Sequence, residues 1–215
     1  MKKELLFPLV LLSPAGFAAV TADISVIGQI LPPSCSISWA GGTNGTFALG
    51  SISQGDLNKT TTTTLPETTT QIMAIGCSGP TVVGFKTIDN ELPTLPTGSY
   101  SLSTDSAGNP IGSFQIVAKD AQAVVDGGSG QLKYTQNNGV SWQNGSTNNS
   151  IINSYAASTA IYGFGAPSAA NTPLPPITDM SVPLAVRPVI AARDNLDLST
   201  AITVNGSVTF ELIYM

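Results

Sequence analysis

The chain has 215 residues, only 10% of them charged, no histidine, and a formal net charge of −5. Without imidazoles there is no Ser-His-Asp triad and no His-ligated metal. The acidic balance leaves no basic footprint for nucleic acid and no attraction to an anionic membrane surface.

At the N-terminus, Lys2 and Lys3 precede an apolar run over 5–12, and small residues follow through Ala19. That is the layout of a secretory signal peptide. The run is shorter than the ~20 apolar residues that a membrane-spanning helix needs. Residues 1–18 are therefore read as a signal peptide cleaved after Ala18, with cleavage after Ala22 as the alternative. Residues 19–215, read as one exported domain, carry six basic and 12 acidic residues.

The next segment alternates. Ile24, Val26, Gly28 and Ile30 share one face and Asp23, Ser25 and Gln29 the other, with Ile27 the exception. This period of two predicts a strand over 24–31. Pro32 and Pro33 then stop ladder pairing, because proline offers no amide donor. Such a strand is either the first of a closed sandwich or one given to another molecule by β-augmentation.

Cys35 and Cys77 are the only cysteines. In an exported chain an isolated pair is most simply a disulfide, two free thiols being the alternative. Closing that loop disfavours the unfolded chain by roughly 4 kcal/mol in the loop-entropy model.

From there the chain is rich in Thr, Ser, Gly, Asn, Val and Ile, and turn signals separate short alternating segments. Strands are predicted over 35–39, 70–77, 82–88, 113–119, 131–135, 160–164 and 181–186. The tracts 40–45, 90–98, 137–153 and 166–176 read as loops, and 137–153 as an exposed loop or a hairpin insertion. No segment carries a helical stripe. The last strand, over 204–214, places Val204, Gly206, Val208, Phe210, Leu212 and Tyr214 on one face, opposite Asn205, Ser207, Thr209 and Glu211. One face of it is buried, and the chain is all-β.

Four pieces, in order, resemble chaperone–usher fimbrial (pilus) subunits. They are Ile-Gly-Gln-Ile-Leu-Pro-Pro-Ser-Cys (27–35) with Gly28 seven residues before Cys35; Phe47 to Gly50 followed by Ile52; Gln-Ile-Met-Ala-Ile-Gly-Cys (71–77); and Gly-Ser-Val-Thr-Phe-Glu-Leu-Ile-Tyr-Met (206–215) with its penultimate Tyr214. The likeness covers 22–90 and 200–215 and is nearest to a less characterised fimbrial-like branch. It departs at Ile202, where the usual glycine is absent, and in a longer middle. The resemblance implies an immunoglobulin-like sandwich missing its last strand, with 19–31 as an N-terminal donor-strand extension. Ile24, Val26, Gly28 and Ile30 would be the donor face, and Val208, Phe210, Leu212 and Tyr214 the edge that a chaperone or neighbour pairs with. The implied partners are a periplasmic fimbrial chaperone, an outer-membrane usher and neighbouring fibre subunits. The implied location is the cell surface, and the implied role a polymerising subunit that contributes to adhesion or biofilm formation.

Other motifs have plainer explanations. Leu-Pro-Glu-Thr-Thr (65–69) resembles a sortase signal but has Thr in the fifth place and is internal. The glycosylation-like triplets at Asn44, Asn58, Asn144, Asn148 and Asn205 follow from composition. The pairs Asp89 with Glu91 and Asp194 with Asp197 read as turn formers rather than glycosidase carboxylates, and 127–130 as a flexible turn. No catalytic residue, metal site or cofactor is expected. Trp39, Trp142 and Tyr155 are the candidates for stacking on sugar; Trp39 is read as core, and Trp142 as core or as a sugar-stacking surface. The second function class is an exported carbohydrate-binding sandwich or a fibre-tip adhesin.

Overall fold

The computed structural model describes residues 22, 24–40, 44–91, 98–153, 160–169 and 171–215. The signal peptide expected over 1–18 and the candidate Tyr155 lie outside them. The chain divides into two units, 1–32 and 33–215.

In the first unit the described residues belong to no strand, unlike the expectation for 24–31. Ile24, Val26, Ile27 and Ile30 each expose more than nine-tenths of their surface. The physical reason is that period-two patterning supplies faces, whereas a strand exists only where another edge takes its amides and carbonyls.

The described residues of 33–215 fold as two antiparallel sheets. In the first, β1 (Cys35–Trp39), β3 (Gln71–Thr81), β13 (Ile177–Ile190), β6 (Gly112–Ala118) and β11 (Ser150–Ile152) lie side by side. The short strands β2 (Thr63–Thr64), β5 (Tyr100–Ser101) and the hairpin of β7 (Val124–Val125) with β8 (Gly128–Ser129) attach to it. The second has the order β10 (Gln143–Asn144), β9 (Gln131–Thr135), β12 (Ile161–Gly165), β4 (Val83–Asp89), β14 (Val208–Tyr214). The chain passes from the first sheet to the second between β3 and β4, at Val82. Met73, Val182 and Leu184 from one sheet and Phe85, Tyr162 and Phe164 from the other are buried in a common core. This is a β-sandwich in architecture.

Two departures from the expected strands have local causes. β13 runs on both sides of 181–186, straight through Pro183 and Pro188, which stand opposite Ile72 and Phe114. Each proline lacks an amide but keeps its carbonyl, which accepts from Lys119 N and Leu65 N respectively, both at 2.9 Å. The tract 137–153 is not simply an exposed loop: it holds β10 and β11, and Trp142 and Ile152 within it are buried.

β10 and β11 stand at the same side of the two sheets, and residues 145–149 join them. There Gly145 N donates to Leu132 O at 2.7 Å and Ser146 N to the Ser150 hydroxyl at 2.8 Å. Ser150 in turn donates to the carboxylate of Asp120, which is 2% exposed. Beside them the buried Lys133 stands opposite Asn144 and donates to its Oδ1 at 3.0 Å and to the Ser168 hydroxyl at 2.7 Å. Desolvation lowers the pKa of this amine. The long middle of the chain thus closes one side of the sandwich.

Candidate functional site

The opposite side is built differently. Among the described residues β1 pairs only with β3, and β14 only with β4, so each is the edge of its sheet. Hydrogen bonds flanking β14 fix its phase: Asn90 N donates to Ser207 O at 3.0 Å and Met215 N to Val82 O at 3.1 Å. Bonding alternates along an antiparallel pair. The odd residues therefore bond β4, and Val208, Phe210, Leu212 and Tyr214 direct their backbone groups at the free edge. On β1, Ser78 N donates to Ser34 O at 2.9 Å. By the same parity Cys35, Ile37 and Trp39 present theirs outward.

These outward-bonding residues also supply the apolar lining. Ile37, Trp39, Val208, Phe210 and Leu212 are half-buried against the core. Trp39 meets Phe210 edge to face at 6.1 Å, and Phe47 likewise at 6.1 Å. Between the two edges lies one cavity, and a second that shares Phe47 in its wall carries the trough on past β1 and β14. One, about 260 Å³, is bounded by Ile37, Trp39, Val208 and Phe210 over a floor of Ile116 and Leu184. The other, about 820 Å³, separates residues 47–57 from 196–204 over Ile111 and Ile190. Among the described residues no charged side chain lines either cavity.

Both ends of the trough are tied. At one, the Tyr214 hydroxyl accepts the Cys35 amide at 2.8 Å and donates to the Cys35 carbonyl at 3.4 Å. Cys35 is disulfide-bonded to Cys77, its partner across the β1–β3 ladder, with a Cα–Cα distance of 4.0 Å. At the other end Arg193 N and Asp194 N donate to Asn58 O and Lys59 O, at 2.9 and 3.0 Å. The Asp105 carboxylate accepts Asp197 N at 2.7 Å and the amides of Ala107 and Asn109, so it anchors the wall that follows. Those bonds, that from Asp197 foremost, hold its pKa down to about 2.

Gly206 sits in a crowded place. A Cβ there would lie 2.6 Å from Phe114 and 3.2 Å from the Ser101 carbonyl.

Of the expected edge residues, Val208 and Phe210 line the trough, Leu212 packs on the core beside it, and Tyr214, half-exposed, fastens its end. Ile202 and Val204 line the larger cavity. The expected donor face, Ile24, Val26, Gly28 and Ile30, belongs to the first unit and is exposed. The walls at 47–57 and 196–203 escaped the strand pattern because they carry no strand; the last strand, expected from Val204, starts at Val208, and Val204 instead lies in the wall. The cysteines are bonded as expected.

The competing motifs have structural work. Glu67 accepts from Lys119 and Arg187 at 2.5 and 2.6 Å, so the 65–69 stretch is stitched to the first sheet. Asp89 accepts from Glu91 N and Ser101 N, and Asp197 from Ser106 and Ser199. Among the described residues no cluster of three or more His, Cys, Asp or Glu could hold a metal, and no helix is long and apolar enough to cross a membrane.

Fold and site together define an all-β, two-sheet protein with an uncharged trough between two unpaired edges. No protein-family model, no curated protein and no solved structure matches the chain.

Proposed function

We propose that residues 33–215 are an immunoglobulin-like sandwich lacking its last strand, and that the chain is a structural subunit of a chaperone–usher surface fibre. The observation that carries this reading is the trough: among the described residues two sheet edges present unpaired backbone groups beside an apolar floor of Ile116 and Leu184, and the trough runs on between the uncharged walls 47–57 and 196–204. Unpaired edges of this kind accept a further strand or aggregate.

The occupant proposed is the N-terminal segment of a second copy of the chain or of a related subunit. Residues 24–31 carry no charge, matching the trough, and their apolar side chains are exposed. Seven residues, 24–30, extend to about 20 Å, the span of the seven in β14. Burying Ile24, Val26 and Ile30 would contribute about 1.5–3 kcal/mol each, with main-chain bonds in addition. Gly28 lets the backbone approach where a side chain would collide. A periplasmic chaperone would hold the edge first, an outer-membrane usher would mediate exchange, and the product would stand on the cell surface. Joints of this kind persist kinetically.

The carbohydrate-binding alternative loses its main support, because Trp142 is 2% exposed and packs with Ile161 and Leu174. The decisive experiment is periplasmic expression of the chain alone and beside candidate fimbrial chaperones, read on unheated denaturing gels. Degradation or aggregation alone, rescue as a one-to-one complex and a later ladder are expected. A stable soluble monomer without any chaperone would overturn the proposal.

A further inference from the structure

We propose that Tyr214 is a clasp that closes one end of the trough and fixes where an added strand stops; this rests on reading the trough as a strand acceptor. The phenol crosses from β14 to β1 and occupies both backbone groups of Cys35, at 2.8 and 3.4 Å. By the parity of the β1–β3 ladder these are the groups that β1 turns to its free edge. The first rung at this end is therefore already made, by a side chain.

Two further features agree with a stop at this point. Trp39 and Phe210 line the smaller cavity, and neither cavity is lined by Cys35, Leu212 or Tyr214. Cys35 is also covalently fixed to Cys77 on β3, so β1 cannot swing aside to admit more chain. The movable partner is the tyrosine, whose surface is 52% exposed. A strand lying along β14 pairs at Val208 and Phe210, and it gains Leu212 and Tyr214 only when the phenol lets go of Cys35. Tyr214 is thus a positioning residue that sets the register and usable length of the joint.

The test is amide hydrogen exchange, read by mass spectrometry with residue-level fragmentation, on the full chain refolded in vitro and kept dilute enough to stay monomeric, free and with a peptide of residues 22–31. In the wild type the peptide should slow exchange at Val208 and Phe210 by at least about tenfold and leave Tyr214 unchanged. In Tyr214→Phe the Cys35 amide of the free chain should exchange at least about tenfold faster, and the peptide should now protect Leu212 and Tyr214 too. Peptide protection of Tyr214 in the wild type overturns the clasp, and that arm does not depend on the variant. So does a variant whose Cys35 exchange and protected set match the wild type. Protection nowhere along β14 overturns the acceptor reading itself, and the stop with it, whereas Cys35 exchange in the free chain reports the clasp independently.

Discussion

The indole of Trp39 and the ring of Phe210 meet edge to face, centroids 6.1 Å apart and planes 82° apart, although they stand on edge strands of different sheets. Phe210 also packs on Phe85 at 5.5 Å, which carries the contact into the core. Phe210→Ala should therefore loosen both edges at once. A fully buried Phe→Ala change costs about 3–5 kcal/mol, and half-burial brings the expectation to about 2–3 kcal/mol. Urea unfolding with an unchanged m-value measures it; a loss under about 0.5 kcal/mol, the level of an ordinary surface substitution, would show that the rings bear no load.

Gly206→Ala adds one methyl that Phe114 must move to admit. The new carbon meets Phe114, Leu102 and the backbone carbonyl of Ser101. Overpacking of this kind costs about 1–3 kcal/mol. A lowered thermal midpoint is expected; an unchanged one would mean that 201–207 shifts freely.

Replacing both cysteines by Ala removes the cross-strand bond between Cys35 and Cys77, 42 positions apart. The loop-entropy model gives a loss of up to about 4 kcal/mol. β1, which pairs with β3 alone, should lose protection before the rest of the first sheet. Hydrogen exchange of the Ser38 amide, which the ladder parity points at β3, against that of Val182 distinguishes local from global loosening.

Asp120 gives a pH signature. Burial raises its carboxyl to about 6, although hydrogen bonds from Ser150 and the Leu132 amide oppose this. The fold favours the neutral acid, so between about pH 4 and 6 the folded chain binds more protons than the unfolded one. The resulting stabilisation is complete below the unfolded pKa of about 3.9 and is lost as pH rises through 6. Relative to Asp120→Asn, the wild type should lose on the order of 2–3 kcal/mol between pH 4 and 7. Parallel denaturation curves across that range check the slope, and a flat difference would place the carboxyl in a wetter site.

Much of the sandwich was readable where period and burial coincide. β1 and β9 lie at their expected bounds, and the even face of β14 turns inward from Val208 through Leu212. Two-residue strands such as β2 and β5 hold no period, and the prolines in β13 signal an end that their carbonyls and the flanking strands override. At the site, Val208 and Phe210 were visible as one face of a strand. The walls at 47–57 and 196–203 were not, because tertiary contacts rather than a repeating ladder shape them. Tyr214 was visible as a residue, but its bond to Cys35 joins positions 179 apart in sequence, which no local pattern encodes.

The disulfide also has a mechanical consequence. Residues 24–34 join the sandwich at Cys35, the first residue of an edge strand, where a pull would ordinarily peel β1 from β3 one rung at a time. Because Cys35 is bonded to Cys77 at the first position of that ladder, tension arriving from the N-terminal side leaves β1 at once and passes through a covalent bond into β3. There it is shared with β13, β3's other neighbour in the sheet. An edge strand that would unzip under load thereby becomes a bypassed one, and the force that the domain withstands is set by the centre of the sheet.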